Sequence, residues 1–191
     1  MKKIFDEIPY ITGSTVILKK LEPSDAEALD VMRHSRKTYK YLPTFLFENK
    51  YEDIDYTIKM IYDECFKNKE SVIMGVYAKE DMRFCGLTEF YGWDDDQQKI
   101  SVGGRIYEKE WGNGFGSEAL EIMLDYLFHE TDIEVVTASS MVENDPSAAA
   151  LIKNGFIMTE TDVEEDWGFA EKTLEKKWVR YKDNQVFEKD I

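Results

Sequence analysis

Basic residues are few in this chain of 191 residues: 24 lysines and arginines stand against 39 aspartates and glutamates, a formal net charge of −15. Binding to the phosphates of nucleic acid requires clustered lysine and arginine side chains. The composition therefore argues against a nucleic-acid partner. It permits a cationic substrate, because an acidic surface concentrates cations. An acidic surface that only aids solubility is the other interpretation.

Long apolar runs are also missing. No stretch is long enough to span a bilayer, and the N-terminal letters MKKIFDEIPYITGS lack the apolar segment of a signal peptide. The two cysteines, Cys65 and Cys85, are far apart and do not have the spacing of metal ligands. This usage is typical of reduced, buried thiols in a cytosolic protein. We therefore predict a cytoplasmic protein that holds no metal and contacts no membrane.

One domain covering residues 1–191 is predicted, because the chain contains no low-complexity linker and no internal repeat. Hydrophobic periodicity assigns strands and helices to most of it, while the segment 164–175 has no clear assignment. Strands are predicted over residues 15–23, 71–79, 83–93, 99–107, 133–142, 156–163 and 176–184. Helices are predicted over residues 23–34, over 51–68, from 116 onward and over 144–155. This order predicts an α/β (α+β) protein with a mixed sheet and helices on both faces.

Two of the predicted helices carry capping signals. Ser24, with Glu27 three residues later, fits a capping box for the first helix. Asn144 fits the N-cap of the last helix, with Pro146 in its first turn and Gly155 at its end.

The stretch WGNGFGSEAL places Gly112, Gly114 and Gly116 directly before a predicted helix. It is not a P-loop, because no lysine follows the glycines, and the dinucleotide fingerprint would need glycine where Ser117 stands. Glycines let several main-chain N–H groups converge on an anion, and a helix N-terminus adds its own N–H groups and the positive end of its dipole. A phosphate site and a plain turn both remain open at this point.

A family resemblance distinguishes between them. The letters RIYEKEWGNGFGSEAL resemble the acetyl-CoA loop of the GNAT superfamily of N-acetyltransferases, whose pattern is Arg/Gln-x-x-Gly-x-Gly/Ala. Trp111 takes the first position, as in the branch that includes ribosomal-protein N-terminal acetyltransferases, and Gly114 and Gly116 match the paired small residues. NDPSAAALIKNGF is similar to that branch's Asn-x-x-Ser-…-Lys-x-Gly-Phe motif. The matched positions are Asn144, Ser147, Lys153, Gly155 and Phe156. The element order resembles the family from about residue 15 to 181.

The resemblance implies a fold, a cofactor and a set of contacts. The fold is a single domain with a mixed, mostly antiparallel sheet flanked by helices, in which two splayed strands form an acetyl-CoA cleft. The pantetheine would pair with the strand 99–107, and the pyrophosphate would meet the N–H groups of residues 111–117. The residues expected at the cofactor are Gly104, Arg105, Ile106, Trp111, Gly112, Asn113, Gly114, Phe115, Gly116, Ser117, Asn144 and Ser147. A homodimer is also expected, since dimers are common in the family.

The resemblance further implies direct transfer of the acetyl group to a primary amine. A main-chain N–H would stabilise the oxyanion, and a base must take a proton, because an alkylamine is mostly protonated at neutral pH. Leu151 and Ser101 stand where many members carry a tyrosine acid and a glutamate base. We therefore assign the base to Glu89, and we expect Asn144 to hold the pantetheine or a water near the sulfur.

Each assignment has a structural alternative. Glu89, with Leu87, Tyr91 and Trp93 expected on its strand face, is otherwise an exposed strand residue or the partner of a lysine or arginine. Asn144 is otherwise a plain helix cap, and the two roles are compatible.

The acceptor amine cannot be identified from the sequence, although the acidity of the chain favours a polyamine, an aminoglycoside or a basic protein N-terminus. Two alternative functions also stay open. The first is a CoA-binding module or interaction protein without catalysis, which the departures at Leu151 and Ser101 favour. The second is a nucleotide-binding α/β protein.

Overall fold

One eight-stranded sheet organises residues 3–183, which are the residues that the computed structural model describes. Its strand order is β1-β2-β3-β4-β5-β6-β8-β7, and every neighbouring pair is antiparallel except β5 and β6, which are parallel. The strands are β1 (Ile11–Thr12), β2 (Val16–Lys19), β3 (Ser71–Ala78), β4 (Phe84–Asp94), β5 (Lys99–Ile106), β6 (Val135–Met141), β7 (Ile157–Glu165) and β8 (Thr173–Tyr181). The predicted mixed, mostly antiparallel sheet is therefore confirmed. Residues 1–2 and 184–191 of the predicted domain, including the end of its last predicted strand, lie outside the described residues.

Helices cover both faces of this sheet. They are α1 (Ala26–Arg33), α2 (Phe47–Lys50), α3 (Ile54–Tyr56), α4 (Tyr62–Lys67), α5 (Phe115–Glu130) and α6 (Asp145–Lys153), with a π-helical segment (Thr57–Ile61) between α3 and α4. The apolar faces of α5 and α6 pack with Phe90 and Val102 in one core, while α1, α3 and α4 pack with Ile73 and Leu87 in the other. Alternation along β4 supplies residues to both cores, because successive side chains of a strand point to opposite faces.

The first helix begins differently from the prediction. Its entry is a 3-10 turn over Pro23–Asp25, and the capping box joins Glu22 to Asp25 rather than Ser24 to Glu27. The Glu22 N–H donates to Asp25 Oδ2 at 2.7 Å. Ser24 already lies inside the helical turn that begins at Pro23, so it cannot be the N-cap. The predicted Ser24 cap is therefore wrong. The caps predicted at Asn144 and Gly155 are confirmed, since Asn144 is the N-cap of α6 and Gly155 has φ +77° just beyond its end.

The alternation of β4 predicts that Trp93 shares the strand face of Glu89. This prediction is wrong. The pairing of β4 with β5 shifts register between Tyr91 and Asp94, and Gly92 has φ +61° within that shift. The left-handed residue breaks the alternation, so the indole packs against Phe5 at 5.7 Å between ring centroids, beside the α5 core. Leu87 lies in the opposite core.

The parallel pair β5 and β6 separates soon after it forms. Pairing covers only Lys99 with Val135, Ile100 with Val136 and Ser101 with Thr137. Beyond these three pairs β5 remains paired with β4, and β6 remains paired with β8. The sheet therefore opens between its two halves, at the strand ends that lead into the glycine stretch and into α6. Among residues 3–183, no helix combines the length and the hydrophobicity that a membrane crossing requires.

Candidate active site

A cleft of about 1390 Å³ occupies the space between the separating strands. Its walls are the second halves of β5 and β6, the middle of β4, the N-terminal end of α5, one side of α6, the segment 37–47, the last residue of β7 and the first half of β8. Pockets for a single small ligand usually measure about 300–1,000 Å³. The cleft is thus large enough for two substrates side by side.

The glycine stretch forms one mouth of the cleft. Gly112 and Gly114 have φ +85° and +80°, and a Cβ on either would find no other atom within 4 Å. Left-handed φ values favour glycine because a side chain adds steric strain there. These two glycines therefore owe their identity to backbone conformation, and their surfaces stay open towards the cleft.

The N-terminus of α5 presents main-chain donors at this mouth. Gly114 is its N-cap and makes no side-chain cap bond. Within the described part of the chain, the N–H groups of residues 114–117 find no hydrogen-bond partner. The Glu118 side chain does not compete for them, because it accepts from the N–H of Thr15 at 2.7 Å and so turns towards β2. The exposed donors and the helix dipole make this end suited to an anion.

Trp111 and Asn113 are held by the loop itself. The Trp111 N–H donates to the Glu108 carbonyl at 3.3 Å, and its indole Nε1 donates to the Ile106 carbonyl at 2.8 Å. Asn113 Nδ2 donates to the Glu110 carbonyl at 3.1 Å, and Asn113 does not line the cleft. The other eleven residues expected at the cofactor all line it, which brings together the two motifs that the sequence had related.

Asn144 and Ser147 lie on the α6 side of the cleft. Asn144 Oδ1 accepts from the Ser147 N–H at 3.3 Å, which is the N-cap bond of α6. The Asn144 side-chain oxygen is thereby used, and its NH₂ group is oriented by the bond. Both residues are half-buried and line the cleft. The cap therefore fixes the position of a side-chain donor at the cleft surface.

Leu151 and Ser101 are both structural in this arrangement. The Leu151 side chain is buried in the α5 core and lines the cleft, where it offers no proton. Ser101 lies at the last β5–β6 pair, and its Oγ is 2.8 Å from Thr137 Oγ1. Neither residue can act as the acid or base that many GNAT members have at the corresponding positions.

Glu89 lies directly across β4–β5 from Gly103. Its side chain is 18 % exposed, and it lines the cleft. A Cβ on Gly103 would stand 2.9 Å from Glu89 Oε1, so the glycine makes the room that this carboxylate occupies. Burial raises the pKa of the Glu89 carboxyl, and Arg105 partly opposes that rise. Glu89 therefore lines the cleft, as its interpretation as a base requires, and it is also the partner of an arginine, as the alternative interpretation has it.

The Arg105 side chain occupies a place that the sequence did not indicate. Its guanidinium is 2 % exposed and lies on the same face as Glu89, with Nη1 3.3 Å from Glu89 Oε1 and Nε 2.5 Å from Glu48 Oε1. Strand alternation predicts that Arg105 and Gly103 share a face. Nothing in the sequence indicated Glu48, because it belongs to a short helix in a segment without periodicity.

Two irregular segments meet at the end of the cleft that Glu165 lines. The Thr44 N–H donates to the Trp167 carbonyl at 2.8 Å, so the segment 35–46 is joined to the β7–β8 connection, residues 166–172. The segment 164–175, unassigned from the sequence, is thus the end of β7, this connection and the start of β8. We call residues 35–46 and 166–172 the roof.

Acidic side chains gather under the roof. Glu70, Glu89, Glu165 and Glu175 line this end of the cleft together with Tyr91. Lys177 pairs with Glu165 at 3.2 Å and also with Glu175, whose side chain is 1 % exposed. Within residues 3–183, no group of three or more histidine, cysteine, aspartate or glutamate side chains is placed to hold a metal ion.

Comparisons with known proteins agree with this geometry. Residues 15–157 match the family model of the acetyltransferase (GNAT) domain. The chain is 24 % identical over 150 residues to the uncharacterized N-acetyltransferase YoaA of Bacillus subtilis, covering 78 % of this chain and 82 % of that one. It is 25 % identical over 146 residues to the putative ribosomal N-acetyltransferase YdaF of the same organism, covering 74 % and 78 %.

Solved structures share the fold. A GNAT-family acetyltransferase from Bacillus anthracis superposes with a TM-score of 0.77 at 20 % identity, covering 91 % of this chain and 99 % of that one. A spermidine N-acetyltransferase from Vibrio cholerae in complex with CoA and spermine gives a TM-score of 0.74 at 20 % identity, covering 89 % and 97 %.

Proposed function

The chain belongs to the acetyltransferase (GNAT) family of acetyl-CoA-dependent N-acetyltransferases, and we propose that it acetylates a small primary amine that carries positive charge. The observation that carries this proposal is the cleft between β5 and β6, which has main-chain donors at one end and carboxylates at the other. One end suits the phosphates of a cofactor, and the other suits an ammonium group.

The cofactor end rests on the glycine stretch. The N–H groups of residues 114–117 would hold the pyrophosphate, since they are unpaired in the described residues and lie at the start of a 16-residue helix. Gly104 and Ile106 on β5 would contact the pantetheine, because the strand has lost its β6 partner there. The Asn144 NH₂ group would donate a hydrogen bond near the sulfur, with Ser147 beside it.

Acetyl-CoA, when bound, supplies an activated thioester. The groups of this chain then do three things. Glu89 accepts the proton that the attacking amine must lose. A main-chain N–H on the open side of β5 meets the negative charge that develops on the carbonyl oxygen. The walls of the cleft hold the amine and the thioester next to each other, which contributes much of the rate.

The carboxylates under the roof support a cationic acceptor. Lys177 already neutralises part of the charge of Glu165 and Glu175, and Arg105 is shared between Glu48 and Glu89. Glu70 and Glu89 therefore contribute negative charge that a substrate ammonium can balance. The contact between Thr44 and Trp167 joins the two segments of the roof across this end, which favours a small molecule over a folded protein. A structurally similar protein, the spermidine N-acetyltransferase of Vibrio cholerae, was solved with spermine.

A panel of amines tests the proposal. Free thiol is measured after incubation with acetyl-CoA and each of a polyamine, an aminoglycoside, a basic N-terminal peptide and an alkyl monoamine of matched length, which lacks the further positive charges of the polyamine. We expect the highest kcat/KM for the polyamine, lower values for the monoamine and the peptide, and none for a permethylated polyamine, which has no N–H to replace. CoA binding without transfer to any amine would instead indicate a non-catalytic CoA-binding module. A preference for the monoamine would overturn the charge assignment.

The homodimer and the cytoplasmic location stay predictions. Light scattering after size-exclusion chromatography tests the first, and fractionation of the cells that produce the protein tests the second. The assignment of residues 1–191 to one domain likewise stays a prediction.

A further inference from the structure

Arg105 is one of the most deeply buried charged groups in the described residues. Its side chain is 2 % exposed, and it contacts two carboxylates from different parts of the chain. A buried charge is costly unless it is paired. One guanidinium that serves two carboxylates leaves the group of three with a net negative charge when both acids are ionised, so the two acids compete for it.

Glu48 is the stronger competitor. Its side chain is fully buried, and Arg105 Nε lies 2.5 Å from its Oε1. The hydroxyl of Tyr39 donates to the same oxygen at 2.9 Å, and the hydroxyl of Tyr62 donates to Oε2 at 3.3 Å. Burial raises the pKa of both tyrosines, so these hydroxyls keep their protons and act as donors. Glu48 is thus held by the guanidinium and by two hydroxyl donors at once.

Glu89 is left with the weaker share of Arg105. Its Oε1 accepts from the guanidinium Nη1 at the longer distance of 3.3 Å, and its carboxylate reaches the cleft surface over Gly103. Glu89 is thus the member of the three that can exchange a proton with a molecule in the cleft.

The other groups around Glu89 are few. Arg105 faces it from β5, Glu48 from α2 and Tyr62 from α4, while Tyr91 follows on its own strand and Glu175 of β8 lies beyond Tyr91. Its neighbour on β3 is the apolar Ile73. Arg105 and Glu48 therefore supply most of the charge that Glu89 experiences from side chains fixed in the fold.

We propose that Glu48, held by Tyr39 and Tyr62, is a positioning residue that draws the charge of Arg105 away from Glu89 and so keeps Glu89 able to accept a proton. This inference rests on the proposed role of Glu89 as the base. Without Glu48, the whole guanidinium charge would act on Glu89, which would become a weaker base.

The experiment compares three isosteric or charge-conserving variants. Glu48→Gln removes the competing charge and keeps the shape, so the titration midpoint of Glu89 should fall by about one pH unit. Arg105→Lys keeps one positive charge but cannot contact both acids equally; since Glu48 holds it better, the midpoint of Glu89 should rise. Tyr62→Phe removes one of the two hydroxyls that hold Glu48 without a change of charge, so the midpoint of Glu89 should fall by less than in Glu48→Gln.

The primary readout is carboxyl NMR of protein labelled with ¹³C-glutamate, in which Glu89→Gln identifies the Glu89 signal. The acidic limb of kcat/KM is the second readout, and the titration of the acceptor amine is common to all variants and cancels. Parallel shifts in both readouts support the proposal. The proposal is overturned if the midpoint of Glu89 is unchanged in Glu48→Gln, or if it is unchanged or lowered in Arg105→Lys. A fall in activity alone does not rescue it, because a purely structural role lowers activity without moving the midpoint. Full activity of Glu89→Gln overturns the proposed base instead, and the NMR titration stays interpretable in that case.

Discussion

Gly114→Val tests whether the glycine stretch holds the cofactor. Gly114 has φ +80°, and a Cβ at this position would have no neighbouring atom within 4 Å, so a side chain meets open space but an unfavourable backbone. A β-branched residue in that region is a genuine outlier, and the strain is about 1–2 kcal/mol. The loop can relieve the strain only by turning Gly114 out of the left-handed region, which re-aims the N–H groups at the start of α5.

The affinity loss should exceed the stability loss. If two of the four N–H groups at the start of α5 lose their contact with phosphate, about 3–6 kcal/mol of binding is lost, since hydrogen bonds to charged groups contribute about 1.5–3 kcal/mol each. That corresponds to an increase of roughly a hundredfold to ten-thousandfold in Kd for acetyl-CoA. The strain alone would lower Tm by only about 2–8 °C. Calorimetry measures the first quantity, and a thermal melt without ligand measures the second.

Gly92→Val is the matched control. Gly92 also has a positive φ, +61°, and a Cβ there would make only ordinary contact with Ser101. It does not line the cleft. We expect a similar fall in Tm and an unchanged Kd. An unchanged Kd in Gly114→Val, or equal losses in the two variants, would refute the assignment of the loop.

Four further predictions concern the walls of the cleft. Glu89→Gln should lower kcat about 10²–10⁴-fold with the Kd of acetyl-CoA unchanged in calorimetry; a normal kcat would contradict its role as base. In the wild-type protein the Glu89 carboxylate is the active form, and burial raises the pKa of Glu89. As the pH is lowered, kcat/KM should therefore begin to fall at a higher pH than the one at which an ordinary glutamate titrates; a fall only below about pH 4 would contradict this. Asn144→Ser should keep the α6 cap and weaken acetyl-CoA binding, whereas Asn144→Ala should also lose about 1 kcal/mol of stability in chemical denaturation; equal Kd values for wild type and Asn144→Ser would leave Asn144 a cap alone. Gly103→Ala should lower kcat and spare cofactor affinity, because its Cβ would displace the carboxylate 2.9 Å away; an unchanged kcat would mean that the position of Glu89 is unimportant.

Local signals predicted the parts of the site that depend on local geometry. The glycines of the loop, the Asn144 cap and the Gly155 stop each need a particular residue type for a backbone reason that operates over a few residues. These residues lie within the two motifs, and the two motifs were enough to indicate the cleft. Strand β5 was also predictable because its apolar residues Ile100, Val102 and Ile106 fall at alternate positions, and β6 because residues 135–141 are uncharged and include three β-branched residues.

Side-chain partners across the fold could not be predicted in the same way. Glu48 reaches Arg105 across 57 positions of sequence, from a four-residue helix whose burial depends on the packing of α1 and α3 around it. Trp93 was misplaced because one left-handed glycine shifted the alternation of β4. Residues 166–172 could not be assigned from the sequence because they connect two strands without a periodic pattern. Their contact with Thr44 is a tertiary contact between segments that are far apart in sequence.

The early separation of β5 from β6 also has a thermodynamic consequence. The two halves of the sheet share only three residue pairs, which is less main-chain pairing than at any other junction in the sheet except that of the two-residue edge strand β1. On the proposed placement, the pantetheine would lie between the two halves and join them. Folding would then be linked to cofactor supply: acetyl-CoA at a hundred times its Kd adds about 2.7 kcal/mol to the free energy of unfolding. A cell rich in acetyl-CoA would hold not only a more active enzyme but a larger folded population of it.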